Sequence, residues 1–519
     1  MSASVTAIIR RGGESDNLEA CARALADGAG AHPVELLVTG AEQGDPAPEL
    51  NRAGEAAAGE ILVFLDGGVV AVPGLVERIV ALHAGGADVV GIGQVVPAAG
   101  SHPLASVRAR REPGGEEPDL SACAGQVLSV PAAAFRRAGG FTPGIGWGGE
   151  VELVHRLRAQ GLELRGLGDP AAHRARRTGL RAAIGERVAA GRGSAELWRR
   201  VPALLPSLEL GGFHAGQPPG LGLRRLLLAL GAPPVPVGLG RALPSRSLRQ
   251  RWLRFQHDYH FWRGARRVLR GTAHWPALQR APVILMYHAI GRRDERAGCY
   301  VVPVHRFRRQ LRWLRRRGYR VIGLDELLAA RRAHQPPPAR AVVITFDDGY
   351  LDNRELAARE LRALGFTATF FLVSERLGGR NTWDRRGELA GRWMLSWEDA
   401  RALLAAGMSV GAHTRTHPVL PEHPAGVQRR EIAGAREDLE QQLGHPVGTF
   451  AYPFGRLDDT TVAAVAEGGY EGACCSRSGV NDPCVSSLLL RRVEVRGTDS
   501  LLRFALAVHR GWTPRRKPR

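Results

Sequence analysis

The sequence has few cysteines and no long apolar run. Its 519 residues include six cysteines and no CxxC pair, which argues against a zinc ribbon and against a secreted disulfide framework. The nearest approach to the roughly 18 apolar residues of a membrane-spanning helix, residues 226–240, is interrupted by three prolines. The N-terminus has no basic region followed by an apolar core, so we expect a cytoplasmic protein, with peripheral attachment to the inner face of the membrane as an alternative.

Lysine is also nearly absent, whereas arginine is abundant. Lys517 is the only lysine, yet the 71 Lys+Arg residues exceed the 51 Asp+Glu residues by 20 charges. Such an excess calls for an anionic partner to be considered. The arginines are spread along the chain, whereas a nucleic-acid-binding protein concentrates its charge on one face, so we expect no nucleic-acid partner. The apolar fraction of 44% is typical of globular proteins and excludes a mostly disordered chain.

The order of apolar runs predicts two α/β domains. Residues 1–210 alternate strand-like runs, such as VTAII and EILVFLD, with helical stretches, which predicts a largely parallel sheet. Residues 282–513 open with the strand-like PVILMYH and predict a second domain of the same class. Residues 211–281 are basic and contain aromatic side chains, which we interpret as a helical linker, with peripheral membrane contact as the alternative. Residues 514–519 are expected to form a basic tail.

Two motifs in the second domain have the composition of a metal site. The apolar run RAVVITF ends in Asp347 and Asp348, at the strand end where α/β proteins place their chemistry. Neighbouring strand residues point to opposite sides, so the two aspartates should have different roles unless the strand ends there. His413 and His417 lie four residues apart and, with one carboxylate, would make a three-ligand metal site. Each motif alone is commonly a turn or a surface pair, but together they predict hydrolytic metal chemistry.

These motifs, TFDDGY, HTRTH and FAYPFG, occur in an order that resembles the polysaccharide deacetylases of carbohydrate esterase family 4, the NodB-homology domain. The resemblance extends over residues 282–495 and includes the opening MYHAI and the segment NTWD at 381–384. It implies a (β/α) barrel-like domain and a hydrolase that removes acetyl groups from a sugar or polysaccharide with the help of a divalent metal.

The resemblance also implies roles for individual residues. Asp347 matches the general base, and Asp348, His413 and His417 match the ligands of a divalent metal, most often zinc. The metal would polarise the acetyl carbonyl and activate water. A backbone N–H near Tyr452 would stabilise the oxyanion.

The general acid is the point at which the chain departs from the common pattern of the family. No late histidine motif follows AYPFG; instead His288 ends the opening strand and resembles the acid of the permuted subfamily that deacetylates exopolysaccharides. The alternative is a buried structural histidine. Ala451 stands where many members have arginine, and Arg492 matches a late arginine of the subfamily that would support the site.

The first domain resembles glycosyltransferase family 2, whose GT-A fold is a Rossmann-type sheet that binds a nucleotide sugar. The resemblance covers residues 4–180. Asp66 matches a carboxylate that would contact the donor diphosphate through a metal, but Gly67 and Gly68 follow it, so a second carboxylate is missing. Glu150 lies where the catalytic base is expected. The domain is therefore either a transferase with a reduced metal site or a sugar-binding or docking module that retains the fold.

Three functions follow from these observations. The first is a metal-dependent N-deacetylase fused to a transferase-like domain, acting on an acetylated amino-sugar glycan or a lipid-linked sugar intermediate. The second is a bifunctional glycosyltransferase and deacetylase that also uses a nucleotide sugar. The third is a non-catalytic basic scaffold that binds a membrane or an anionic glycan through residues 251–270.

Overall fold

A computed structural model describes residues 3–11, 18–28, 30, 32–40, 45–85, 88–107, 120–123, 125–145, 147–168, 170–214, 218–231 and 237–511. The expected basic tail, residues 514–519, lies outside these ranges. The chain forms two compact units, the first ending at Trp275 and the second beginning at Pro276. Among the described helices, none combines the length and the apolar composition needed to cross a membrane.

The first unit contains a mixed sheet with helices around it. Its strands are β1 (Val5–Arg11), β2 (Val34–Gly40), β3 (Ile61–Asp66), β4 (Val69–Ala71), β5 (Val89–Gly93), β6 (Val95–Val96), β7 (Val127–Pro131), β8 (Glu163–Gly166) and β9 (Ala172–Arg174). The main sheet has the order β2-β1-β3-β7-β5-β8, and β4, β9 and β6 form a smaller sheet. Strands β2, β1 and β3 are parallel, whereas β7 runs antiparallel to both of its neighbours. Because β1 is covered on both faces, its first five residues are all buried.

The helices of the first unit are α1 (Leu18–Asp27), α2 (Ala47–Ala56), α3 (Leu75–His83), α4 (Ala132–Arg137), α5 (Gly149–Ala159), α6 (Leu180–Arg200), α7 (Pro218–Leu230) and α8 (Arg246–Leu269). The unit boundary falls within α9 (His274–Leu278). Short 3₁₀ turns occur at Pro103–Ser106, Leu120–Cys123, Pro202–Ser207, Glu209–Gly212 and Val237–Ala242.

The segment interpreted as a linker is largely helical and packs within the first unit. Gly264 of α8 lies against the backbone of Val188 in α6, and Gly191 of α6 lies against that of Phe261, so the two helices cross closely. The aromatic side chains Tyr259, Phe261 and Trp262 of α8 are buried. These aromatics therefore do not form the membrane-facing surface that the sequence pattern suggested for residues 251–270.

The second unit is built around parallel strands arranged as a nearly closed barrel. Its strands are β10 (Val283–Tyr287), β11 (Ala289–Gly291), β12 (Val301–Pro303), β13 (Arg320–Ile322), β14 (Ala341–Phe346), β15 (Thr369–Leu372), β16 (Ser409–Ala412), β17 (Thr449–Ala451), β18 (Gly472–Cys474) and β19 (Arg492–Glu494). The sheet has the order β18-β17-β16-β15-β14-β10-β19, β13 pairs with the start of β14, and β11 and β12 form a separate pair. A parallel bridge between Cys474 and Leu490 brings β18 to the segment before β19 and nearly closes the sheet.

Helices surround this barrel. They are α10 (Val304–Arg316), α11 (Leu324–Arg332), a π-helical segment (Asn353–Ala358) continuous with α12 (Arg359–Arg362), α13 (Trp397–Ala405), α14 (Ala425–Leu443), α15 (Asp459–Glu467) and α16 (Leu501–Arg510). Short 3₁₀ turns occur at Ser374–Arg376, Leu420–Glu422, Pro453–Gly455 and Ser487–Leu489.

The alternation of side chains along β14 explains why its run is apolar throughout. Val342, Ile344 and Phe346 belong to the core between the sheet and the helices. Ala341 and Val343 belong to a second cluster, with residues from β10, β15, β17 and β18 and with the leucines of α11. Since both faces are buried, every residue of the strand is apolar or hydrogen-bonded, and the first charged residues appear where the strand ends.

Candidate active site at the end of the parallel barrel

Asp347 and Asp348 follow the last residue of β14 and have separate environments. The backbone N–H of Asp347 donates to the carbonyl of Tyr287, which keeps it in line with β10. Asp348 has a φ of 75° and Gly349 a φ of 82°, so the chain turns sharply there. The strand thus ends between the two carboxylates, and the strict alternation that would send them to opposite sides does not apply.

The two histidines lie on a tight loop that follows β16. The N–H of His413 donates to the carbonyl of Leu372 in β15, which continues the sheet by one residue. Thr414 and His417 both have a φ of 67°, and the N–H of His417 donates to Oγ1 of Thr414 at 3.0 Å. Between these two residues, the backbone N–H groups of Arg415 and Thr416 donate to the carboxylate of Glu431 in α14, at 3.0 and 2.9 Å. The loop conformation brings both imidazole rings back over the strand end.

Asp348, His413 and His417 form a compact, buried group. Oδ1 of Asp348 lies 3.4 Å from Nε2 of His413 and 3.3 Å from Nε2 of His417, and the two Nε2 atoms are 3.2 Å apart. Ligands at zinc–nitrogen or zinc–oxygen distances on a tetrahedral ion are about 3.3 Å apart. Nδ1 of His413 lies 2.7 Å from the carbonyl of Ala451, so that nitrogen carries the proton and Nε2 keeps its lone pair. The three residues present therefore fit a divalent metal.

Asp347 forms a buried ion pair with Arg492 of β19. The two carboxylate oxygens lie 2.5 and 2.8 Å from the two terminal guanidinium nitrogens. Nε of the same guanidinium donates to the carbonyl of Cys475 at 3.2 Å. Burial alone would raise the pKa of Asp347, but the charge of Arg492, assisted by His413, lowers it below its usual value. Asp347 is therefore an ionised carboxylate that is held in one orientation.

His288 lies at the same end of the barrel, directly after β10. Its side chain is half-buried, which differs from a fully buried structural histidine. Its carbonyl accepts a hydrogen bond from Nδ2 of Asn353 at 2.8 Å, and its ring meets Tyr300 edge-on with 4.8 Å between centroids. Burial raises the pKa values of Asp347 and Asp348, and His288 is among the nearby groups that oppose this, so it lies close to both carboxylates.

The backbone amide of Tyr452 itself is not available to an oxyanion, whereas amides near it are not excluded by this. The N–H of Tyr452 donates to the carbonyl of Cys474 at 3.2 Å, and its hydroxyl donates to the carbonyl of Leu488 at 3.0 Å. The side chain is buried in the core. Tyr452 is thus a structural residue of the barrel, and its own amide proton is already used in the sheet.

Two aromatic side chains contact the imidazole of His417. Trp383 stacks on the imidazole with 4.4 Å between centroids and 20° between planes. Phe454, which is 54% exposed, meets it edge-on at 4.6 Å. Oδ1 of Asn381 accepts the N–H of Trp383, and Nδ2 of Asn381 donates to the hydroxyl of Tyr350. The segment NTWD therefore forms one wall of the site, although only its resemblance to the family marked it in the sequence.

A glutamate far away in the sequence fixes the loop that carries Tyr300. The carboxylate of Glu388 accepts three consecutive backbone N–H groups, from Cys299, Tyr300 and Val301, at 2.8, 2.6 and 2.6 Å. Because Tyr300 packs against His288, this contact orders the surroundings of the candidate acid. The interaction joins residues almost 90 positions apart, so no local pattern reveals it.

The first unit brings Asp66, Glu150 and Arg10 together around a separate cavity. Asp66 ends β3 and Arg10 lies beside it on β1, with a guanidinium nitrogen 2.6 Å from Oδ1 of Asp66. Burial raises the pKa of Glu150, and the nearby charge of Arg10 partly opposes this. The position at which a metal-binding carboxylate was expected is thus occupied by a carboxylate–guanidinium pair.

Comparison with known proteins relates part of the second unit to polysaccharide deacetylases. A family model described as polysaccharide deacetylase matches residues 334–473, which include Asp347, Asp348, His413 and His417. YxkH of Bacillus subtilis (strain 168), a protein assigned to the polysaccharide deacetylases, is 26% identical over 212 residues, which are 41% of this chain and 70% of YxkH. A 43-residue segment, 8% of this chain, is 46% identical to the poly-beta-1,6-N-acetyl-D-glucosamine N-deacetylase of Escherichia coli (strain K12), of which it covers 6%.

Two solved structures are similar to part of the chain. Streptococcus pyogenes deacetylase PplD in complex with acetate is 25% identical, with 44% of this chain and 98% of PplD covered and a TM-score of 0.38. IcaB from Ammonifex degensii is 24% identical, with 44% and 97% covered and a TM-score of 0.39. The family match and the relatives thus support a polysaccharide deacetylase domain in the second unit.

Proposed function

We propose that the second unit removes N-acetyl groups from an acetylated amino-sugar glycan by metal-dependent hydrolysis. The observation that supports this most strongly is the spacing of 3.2–3.4 Å among one oxygen of Asp348 and the Nε2 atoms of His413 and His417. A divalent ion, for which this set of one oxygen and two nitrogen donors favours zinc, would be held by these three residues. When bound, it would polarise the acetyl carbonyl and make water more acidic.

The residues of the chain account for the proton transfers. Asp347 accepts a proton from the attacking water, and Arg492 keeps this carboxylate ionised and oriented. The new carbon–oxygen bond converts the amide into a tetrahedral intermediate. Its carbon–nitrogen bond then breaks as His288 donates a proton to the leaving nitrogen, so the products are acetate and a free amine on the sugar.

The backbone N–H that faces the oxyanion is assigned to Phe454. The N–H of Tyr452 is used in the sheet and Pro453 has none, so Phe454 provides the first remaining amide proton of the motif. Phe454 has a φ of 57° and its ring contacts His417, and both observations support this assignment. A preorganised N–H at that position stabilises developing negative charge.

The proposed substrate is a chain of amino sugars. The protein that matches over 43 residues is named a poly-beta-1,6-N-acetyl-D-glucosamine N-deacetylase, and we extend that substrate class to this chain. Tyr300 and Phe454 are 41% and 54% exposed beside the candidate acid and the histidine loop, and aromatic faces are suitable for stacking on sugar rings. A lipid-linked amino sugar is the alternative substrate of the same chemistry.

Acetate release from two acetylated substrates would test this function. Purified full-length protein would be incubated with zinc and either β-1,6-linked poly-N-acetylglucosamine or chitooligosaccharides. We expect release that requires the metal and is reduced at least 100-fold in His413→Ala. The exposed His423→Ala is the matched control and should retain wild-type activity. Release that is unchanged in His413→Ala would contradict the proposed metal site.

For the first unit, we propose a GT-A-like domain that has lost its metal-bridging function and retains sugar binding. The pairing of Arg10 with Asp66 supports this, because the guanidinium already neutralises the carboxylate. The alternative is a working transferase, which would make the chain bifunctional. Transfer from a nucleotide sugar that is abolished by Glu150→Gln would favour the transferase, and binding of sugar without transfer would favour the module.

A further inference from the structure

Helix α7 buries one arginine and one leucine, Leu228, and exposes three other leucines. Arg224 is 3% exposed, whereas Leu223, Leu226 and Leu230 are 43%, 55% and 72% exposed. The buried guanidinium lies over the rings of Trp262 and Phe213, at 5.2 and 5.6 Å from their centroids, and donates to the carbonyl of Phe213. A helix in water normally buries its leucines and exposes its arginine. The arrangement of α7 therefore leaves an apolar stripe on the outside.

The apolar exposure continues along the chain after α7. Leu239 in the 3₁₀ turn Val237–Ala242 is 58% exposed, and Leu248 in the first turn of α8 is 38% exposed. Gly240 of that turn faces the indole of Trp252, so the turn packs on α8. Five of the eleven large apolar side chains that are exposed in the described part of the chain thus fall between residues 223 and 248. Such a concentration is typical of an interaction surface.

Exposed arginines accompany these leucines. Arg246, Arg249, Arg251 and Arg254 lie on the N-terminal half of α8, and all four are exposed. In the whole stretch 211–281 the sequence has twelve arginines and one acidic residue, Asp258. The five exposed leucines and these four arginines all lie between residues 223 and 254, and together they are named here the leucine–arginine surface. It combines exposed apolar side chains with a strong excess of positive charge.

We propose that the leucine–arginine surface attaches the protein to the surface of an anionic lipid bilayer. A helix with apolar side chains on one face and nearby arginines lies in the membrane interface, where leucines enter the acyl boundary and arginines meet phosphate groups. The charge complementarity selects an anionic bilayer rather than a neutral one. The exposed leucines distinguish it from a nucleic acid, which offers phosphates without an apolar layer.

Sedimentation of the full-length protein with vesicles tests this proposal. Vesicles of phosphatidylcholine alone would be compared with vesicles that contain phosphatidylglycerol, at low and at high salt. We expect binding only to the anionic vesicles, weakened by salt. The double variant Arg249→Gln/Arg254→Gln should bind about 30-fold more weakly, from the known contribution of each arginine near an anionic surface. The double variant Leu226→Glu/Leu230→Glu should bind the anionic vesicles at least tenfold more weakly than the wild type.

Leu502→Glu is the matched control, because Leu502 is 71% exposed on α16, outside the leucine–arginine surface. It should bind vesicles like the wild type. Equal binding to neutral and anionic vesicles, or wild-type binding by Leu226→Glu/Leu230→Glu, would overturn the proposal. Binding to a DNA duplex that is the same for the wild type and for Leu226→Glu/Leu230→Glu would also overturn it. A dimeric wild type that binds no vesicles, together with a monomeric Leu226→Glu/Leu230→Glu variant, would overturn it as well. None of these results depends on the deacetylase site.

Discussion

Replacement of Arg492 by methionine should destabilise the second unit strongly. The guanidinium makes two contacts of 2.5 and 2.8 Å with Asp347, and the two side chains are 1% and 5% exposed. Removal of one partner leaves a buried carboxylate without its countercharge, which typically costs about 3–5 kcal/mol. Hydrogen exchange of the full-length protein, followed by mass spectrometry of peptides from β14 and β19, measures this free energy locally.

Two further variants make the result specific to the buried pair. Arg496 and Glu494 lie 2.7 Å apart but are 40% and 24% exposed, so Arg496→Met should cost only about 0–1 kcal/mol. Combining Asp347→Asn with Arg492→Met removes the unpaired charge and should recover part of the lost stability. The reasoning would be refuted if Arg492→Met cost no more than Arg496→Met, or if the double variant recovered nothing.

Three further predictions concern separate parts of the structure. Glu388→Ala removes the acceptor of three backbone N–H groups, so we expect the free energy of unfolding to fall by about 2–4 kcal/mol. Amide hydrogen exchange at residues 299–301, measured by mass spectrometry, should become faster, and unchanged exchange there would contradict this contact. Trp383→Ala removes the ring stacked on His417 and should weaken zinc binding by about 10–100-fold in competition titration with a chelator; unaltered affinity would show that the ring does not orient the histidine. Burial lowers the pKa of His83 to about 4, so the folded state binds fewer protons than the unfolded state and the first unit should lose stability as pH falls from about 6.5 to 4. The free energy of unfolding would be measured with urea at each pH. Its loss should be smaller in His83→Gln than in the wild type, and an equal loss would assign the effect to other groups.

The residues of the candidate site could be singled out from the sequence because their motifs depend on local order. An apolar run that ends in two aspartates predicts a strand end, and the separation of His413 from His417 predicts a loop or helix that presents both rings. The family resemblance then supplied the general base and the metal ligands. The two motifs follow the ends of β14 and β16. Because these strands are parallel members of one sheet, both motifs lie at the same end of it.

Other features depend on contacts between distant residues and could not be read from the sequence. The contact of Glu388 with residues 299–301 and the pairing of Arg492 with Asp347 join segments far apart in the chain. Which amide of the motif AYPFG retains an available proton depends on how β17 pairs with β18, a contact between distant segments. In α8 the aromatic pattern suggested a membrane surface, but the close crossing with α6 buries those rings and leaves the exposed leucines on α7 instead.

The proposed hydrolysis requires Asp347 to act as the base beside a metal held by Asp348, His413 and His417. The most direct measurement compares wild type with Asp347→Asn, which retains all three metal ligands, in zinc content and in acetate release from poly-N-acetylglucosamine. We predict equal zinc binding by both proteins and at least a 100-fold slower release by the variant. Release at the wild-type rate by Asp347→Asn with zinc bound would contradict the account.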